Sequence, residues 1–203
     1  MRKILTLVSF TAFLVLTGCV PSLQPLYTEE DLTFDPALLG TWRGEDPGDT
    51  WEFTQGHGTE YHLVVNETPS HSSDGGKGEF TVHLVIVDGM RFLDLFPDEP
   101  DCPLSSLLLV HLVPVHTFWR VLQVEPSLKL AYFSPGEGEN RDWLQSLLKT
   151  DPTAIRQEQV EDGILLTAAP KELQKFLLAH LQEGFVEARE LQRQQQEGEP
   201  EEE

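Results

Sequence analysis

"GEFTVHLVIVDGMRFLDLFP", residues 78–97, carries the pattern that decides the fold. Phe80, Val82, Leu84 and Ile86 recur at every second position and so share one face of an extended chain. Thr81 and His83 begin the opposite face, which turns apolar at Val85 and Val87. After Asp88-Gly89 the alternation resumes, with Met90, Phe92, Asp94 and Phe96 on one side. Period-two alternation bounded by turn residues marks a strand, and two such runs in succession mark a strand series.

The same texture extends in both directions. "TWRG" (41–44), "TWEFTQ" (50–55) and "TEYHLVVNE" (59–67) precede it. "SSLLLVHLVPV" (105–115), "HTFWRVLQVEP" (116–126) and "LKLAYFS" (128–134) follow. Many short strands with close turns predict a mainly β, antiparallel meander, closed into a barrel or strongly curved. Trp42, Trp51, Phe53, Phe80, Phe92 and Trp119 are expected to fill or line its interior. Asp94, on the face of Phe92, either points into a cavity or ends a strand buried on both sides.

Two helices are predicted late in the chain. "NRDWLQSLLKTD" (140–151) pairs Trp143 with Leu147 and Leu144 with Leu148 at helical spacing, behind an Asn140 cap. "PKELQKFLLAHLQEGF" (170–185) places Leu173, Phe176, Leu177 and Leu181 on one stripe, with Pro170 in the first turn. Between them, "AIRQEQVEDGILLTA" reads as a hairpin around Asp162-Gly163.

The start of the chain gives an address. Arg2 and Lys3 precede the apolar run "ILTLVSFTAFLVL", which is too short to span a bilayer and reads as a secretory signal peptide over residues 1–18. Leu16-Thr17-Gly18-Cys19 resembles the lipobox of bacterial lipoproteins. The resemblance implies that Cys19 receives a diacylglyceryl group, becomes the N-terminus after cleavage and is acylated (palmitate) on its amine. Two or three acyl chains hold a protein firmly where one does so marginally. Val20, where Asp would signal inner-membrane retention, favours an outer-membrane protein facing the periplasm. Residues 19–34 are expected to be a tether, 35–181 the folded domain, and 182–203 an acidic tail, disordered toward its end.

The charge excludes some partners. Loss of Arg2 and Lys3 with residues 1–18 takes the formal charge from −20 to −22. So acidic a surface repels nucleic acid and anionic headgroups. Cys102, in the acidic "DEPDCPL", lacks an intramolecular partner once Cys19 is acylated, and its neighbours disfavour a reactive thiolate.

A further resemblance concerns the fold. "LLGTWRG" (38–44), after a short helical turn and opening a meander, resembles the Gly-x-Trp start of lipocalin-type barrels through Gly40-Thr41-Trp42. It implies that Trp42 plugs a closed barrel end. The last strand is read at "GILLTAA" (163–169), which carries no arginine to stack on that tryptophan. "SLQPLYTEEDLTFDPALLGTW", "LDLFP", "PVHTFWRV" and "ILLTAAPKELQKFL" are similar to an uncharacterised family of bacterial lipoproteins, which lends no activity.

The search for chemistry finds little. Seven histidines show no His-Glu-x-x-His, no Cys-x-x-Cys and no helix-face spacing that would fix a metal. Gly-x-Ser-x-Gly is absent, and Ser70, Ser72 and Ser73 sit in a Gly-rich loop. No catalytic residue, metal site or cofactor is expected. The reading is a non-catalytic, lipid-anchored binding module for an apolar ligand, with Phe92, Asp94 and Trp119 as candidate ligand residues. The alternative is an interaction protein with a solid core that docks an envelope partner.

Overall fold

In the computed structural model the described residues are 20–46, 48–69, 75–99, 105–109, 111–134, 143–160 and 163–194. Cys19, Cys102, the signal-peptide segment, the Asn140 cap and the Ser70–Ser73 loop lie outside them.

The strands are β1 (Leu32–Thr33), β2 (Gly40–Arg43), β3 (Thr50–Gln55), β4 (Glu60–Glu67), β5 (Gly76–Val87) and β6 (Met90–Pro97). Then come β7 (Thr117–Gln123), β8 (Ser127–Phe133), β9 (Gln157–Val160), β10 (Gly163–Leu166) and β11 (Phe185–Arg193). The helices are α1 (Ser106–Leu109), a single turn, α2 (Trp143–Thr150), α3 (Pro170–Ala179) and α4 (Leu181–Gly184). Strands β2 to β8 follow one another round an antiparallel sheet, and β11 pairs with both β8 and β2. Eight strands therefore close into a lipocalin-like barrel with no free edge. The β5–β6 hairpin turns at Asp88 and Gly89, both at positive φ, as a two-residue turn demands.

Three expectations are corrected. "SSLLLVHLVPV" forms no described strand: it holds the one-turn α1, and its residues 111–115 belong to no helix or strand. The closing strand is β11, inside the segment expected to be an acidic tail. Residues 20–34 are no free tether, because Val20 N–H donates to Phe133 O, Ser22 exchanges bonds with His116, and Leu26 is fully buried. The fold thus takes in described residues on both sides of 35–181, from Val20 to Gln194. The hairpin between the helices is present as β9–β10, its Asp162 lying outside the described residues.

The strands carry two cores because both their faces are covered. The inner core fills the barrel with Trp42, Phe53, Leu63, Val82, Leu93 and Leu130 among others. The outer core lies between the wall and the layer of α2, α3, β9 and β10. There Val85, Phe92, Phe118, Phe133 and Phe185 meet Leu144, Leu166, Leu173, Phe176 and Leu177. A β-bulge between Glu187 and Arg189 lets β11 serve both. Phe185 opposes Phe133 on the outer face, whereas past the bulge Arg189 and Leu191 oppose Leu130 and Leu128 on the inner one.

Candidate ligand cup at the open end of the barrel

One end of the barrel is plugged by the chain that enters it. The short 3-10 turn Pro36–Leu38, begun by Asp35 accepting from Ala37 N–H, lays Leu38 across the opening. Trp42 is fully buried beneath it and donates its indole N–H to Leu38 O at 2.9 Å. Arg193 lies 4.1 Å above the Trp42 ring and donates to Leu39 O and Ala37 O. The arginine not found in "GILLTAA" is therefore supplied by β11.

The opposite end is open. The inward positions there are Trp51 on β3, Val65 on β4, Gly78 and Phe80 on β5, Leu95 on β6, Thr117 and Trp119 on β7, and Arg189 on β11. Together with Glu67 and residues 75–77 they line a cup of about 480 Å³. That lies within the range of small-ligand sites. Gly78 keeps the wall thin: a Cβ there would meet the Phe80 ring at 2.9 Å. Below the cup the interior is solid. Phe53, Leu63, Val82, Leu93 and Leu130 are all at most 1% exposed, so a ligand enters only the upper barrel.

Besides Glu67, Lys77 and Thr117, three side chains give the cup its polarity. Trp51, only 3% exposed, meets Trp119 edge to face with centroids 5.2 Å apart. Neither indole N–H has an acceptor, although both nitrogens are shielded from solvent. A buried donor left unpaired costs about 1–3 kcal/mol. Arg189 stands 5.8 Å over Trp51 and donates to Glu67 Oε1 at 3.3 Å. An acyl or aromatic group fits the apolar wall. A hydrogen-bond acceptor on it would find the Arg189 guanidinium, the Lys77 ammonium at the rim and, after a small ring shift, two indole donors.

The candidate ligand residues part company here. Trp119 lines the cup. Phe92 does not face the interior, because Leu93 and Leu95 take the inward positions of β6 and leave Phe92 against Phe185 in the outer core. Asp94 is buried on that outer wall too, and the apolar faces on both sides of β6 account for it. It accepts from Leu26 N–H and pairs with His116 Nδ1, each at 2.6 Å. Asp94 thus clasps the N-terminal segment to the barrel. Beside it, Tyr27 packs on His83 at 4.4 Å. Burial holds the His83 imidazolium pKa below its ordinary value, with the His116 charge adding to this and Asp94 and Glu60 opposing it. Trp51 and Phe80 follow from strand alternation alone, whereas Arg189 sat in the stretch expected to be a tail.

Of the remaining polar groups, His62 Nε2 lies 3.3 Å from Glu79 Oε2 and 3.5 Å from Asp98 Oδ2 on the outer wall. Among the described residues this is the group whose spacing suits a metal ion, but Lys77 already pairs with Glu79. His180 stacks between Trp143 and Phe176.

Compared with protein-family models, with curated proteins and with solved structures, the chain matches none.

Proposed function

We propose that the protein is a non-catalytic, lipid-anchored lipoprotein of the bacterial outer membrane, facing the periplasm, whose barrel binds an apolar ligand bearing a hydrogen-bond acceptor. The observation that carries this reading is the cup: an apolar wall at the open end, with Arg189 and the two acceptor-free indoles of Trp51 and Trp119. The anchor rests on Leu16-Thr17-Gly18-Cys19 behind a charged start and an apolar run. The described chain begins beside the wall at Val20, so an acylated Cys19 would hold the barrel close to its membrane.

The test is mass spectrometry of protein purified from its native membrane, together with binding of a fluorescent fatty acid to the folded chain. Acyl chains on Cys19 and saturable binding are expected. Phe80→Arg, at the rim, should abolish binding and leave the thermal transition in place. A fatty acid that binds only the unfolded chain would mean a closed cup, and the interaction reading would then replace ligand binding.

A further inference from the structure

We infer that the open end of the barrel docks onto a zwitterionic phospholipid surface, so that the cup faces the lipids from which its ligand comes. The inference rests on the anchor and ligand readings above and adds to them an orientation and a membrane-contacting surface.

Three observations meet at one end of the molecule. First, the described chain starts there. Val20 N–H bonds Phe133 O, where β8 reaches the open end, and Ser22 pairs with His116, one residue before β7 leaves it. On the anchor reading an acylated Cys19, the residue before Val20, is joined to the chain at that point. Second, the β6–β7 connection, which leaves β6 at Pro97 and returns at Thr117, belongs to the same end. It exposes Leu107 by 74%, Leu108 by 46%, Leu112 by 51% and Val113 by 66%. Exposed large apolar side chains elsewhere among the described residues reach at most 42%, whereas here four lie within seven residues and mark a contact surface. Third, the cup opens at this end and nowhere along the packed interior below.

Together these select the occupant. An acyl anchor leaving beside an apolar loop places that loop at the depth where leucine and valine exchange water for the headgroup–acyl boundary. Charge selects the lipid class. Glu45, Asp46 and Glu99, exposed on the turns of the same end, outnumber Lys77 and Arg189, which already pair with Glu79 and Glu67, and so repel anionic headgroups and tolerate zwitterionic ones. A protein partner would need no such coincidence of anchor, loop and mouth.

The test uses the acylated full chain in phosphatidylethanolamine/phosphatidylcholine vesicles. A nitroxide is attached at Leu112→Cys or, separately, at Asp88→Cys on the opposite end, each in a Cys102→Ser background. Collision rates are read with oxygen and with a water-soluble nickel chelate. At position 112 oxygen should dominate several-fold, at 88 the chelate should, and adding phosphatidylglycerol should weaken vesicle binding of Cys19→Ser chains. A water-like label at 112 on a vesicle-bound protein overturns the docking and leaves the anchor standing. An immersed label with Cys19→Ser binding undiminished upholds the docking and removes the anchor. Loss of all vesicle binding removes both.

Discussion

At the closed end Trp42 lies 4.1 Å under Arg193, gives its N–H to Leu38 O, and leaves Arg193 two backbone carbonyls to bond. At the open end Trp51 lies 5.8 Å from Arg189, its N–H and that of Trp119 have no acceptor, and Arg189 reaches one carboxylate on the rim. The same pair of residue types, tryptophan under arginine from β11, occurs twice with opposite completeness. A desolvated cation–π contact is worth about 2 kcal/mol or more, an exposed one about 0.5–1. One end is finished as structure. The other keeps donors in reserve, as a binding site does.

The strongest way to break this contrast is to remove what both ends share. A chain ending at Gly184 loses β11, both arginines and the closure of the barrel. It should fail to fold, giving no cooperative thermal transition; a native-like melt would mean that β11 is dispensable. Next comes the closed end itself: Trp42→Ala should lower stability by about 3–5 kcal/mol in urea unfolding, as large aromatic truncations in cores do. A loss below about 1 kcal/mol would place the plug elsewhere.

How far these elements could be read from sequence depends on what each faces. Strands β2 to β6 alternate cleanly because one face meets the inner core, and Gly40-Thr41-Trp42 marks the plug directly. β11 is hidden because two of its three inward positions past the bulge, Arg189 and Arg193, are arginines lying on tryptophan faces. With Glu190 and Gln192 between them, "RELQR" reads as tail. The opposite error occurs at "SSLLLVHLVPV", where apolar residues suggest a strand but no neighbouring edge is free to pair it. Phe92 escapes a sequence reading for a third reason. Alternation finds two faces, and only the helical layer decides which of them lies inside the barrel.

A smaller effect concerns the strap leading to the plug. Burial raises the Asp31 pKa, but bonds from the Thr28 hydroxyl and N–H, Gln174 and Lys171 outweigh it and hold the carboxyl well below its ordinary 3.8. A depressed carboxylate stabilises the fold above its unfolded value, and that stability is lost as pH falls below about 3.8 through the folded one. Asp31→Asn should therefore cost about 1–3 kcal/mol at pH 7, with the gap to the parent narrowing as urea midpoints are taken below pH 4. A constant gap would remove the charge from the explanation. Smallest of all, Trp51→Phe removes an N–H that bonds nothing, so it should shift stability by less than about 1 kcal/mol while weakening the binding of acceptor-bearing ligands.

The most direct measurement follows the four indole N–H signals by ¹⁵N–¹H NMR while a fatty acid is titrated into the folded protein. Signals of Trp51 and Trp119 should move saturably as their donors gain an acceptor. Trp42, already bonded to Leu38 O, and Trp143, in the helical layer against the outer core, should stay in place. Unmoved Trp51 and Trp119 signals, or movement of Trp42 instead, would contradict an open end built for a ligand.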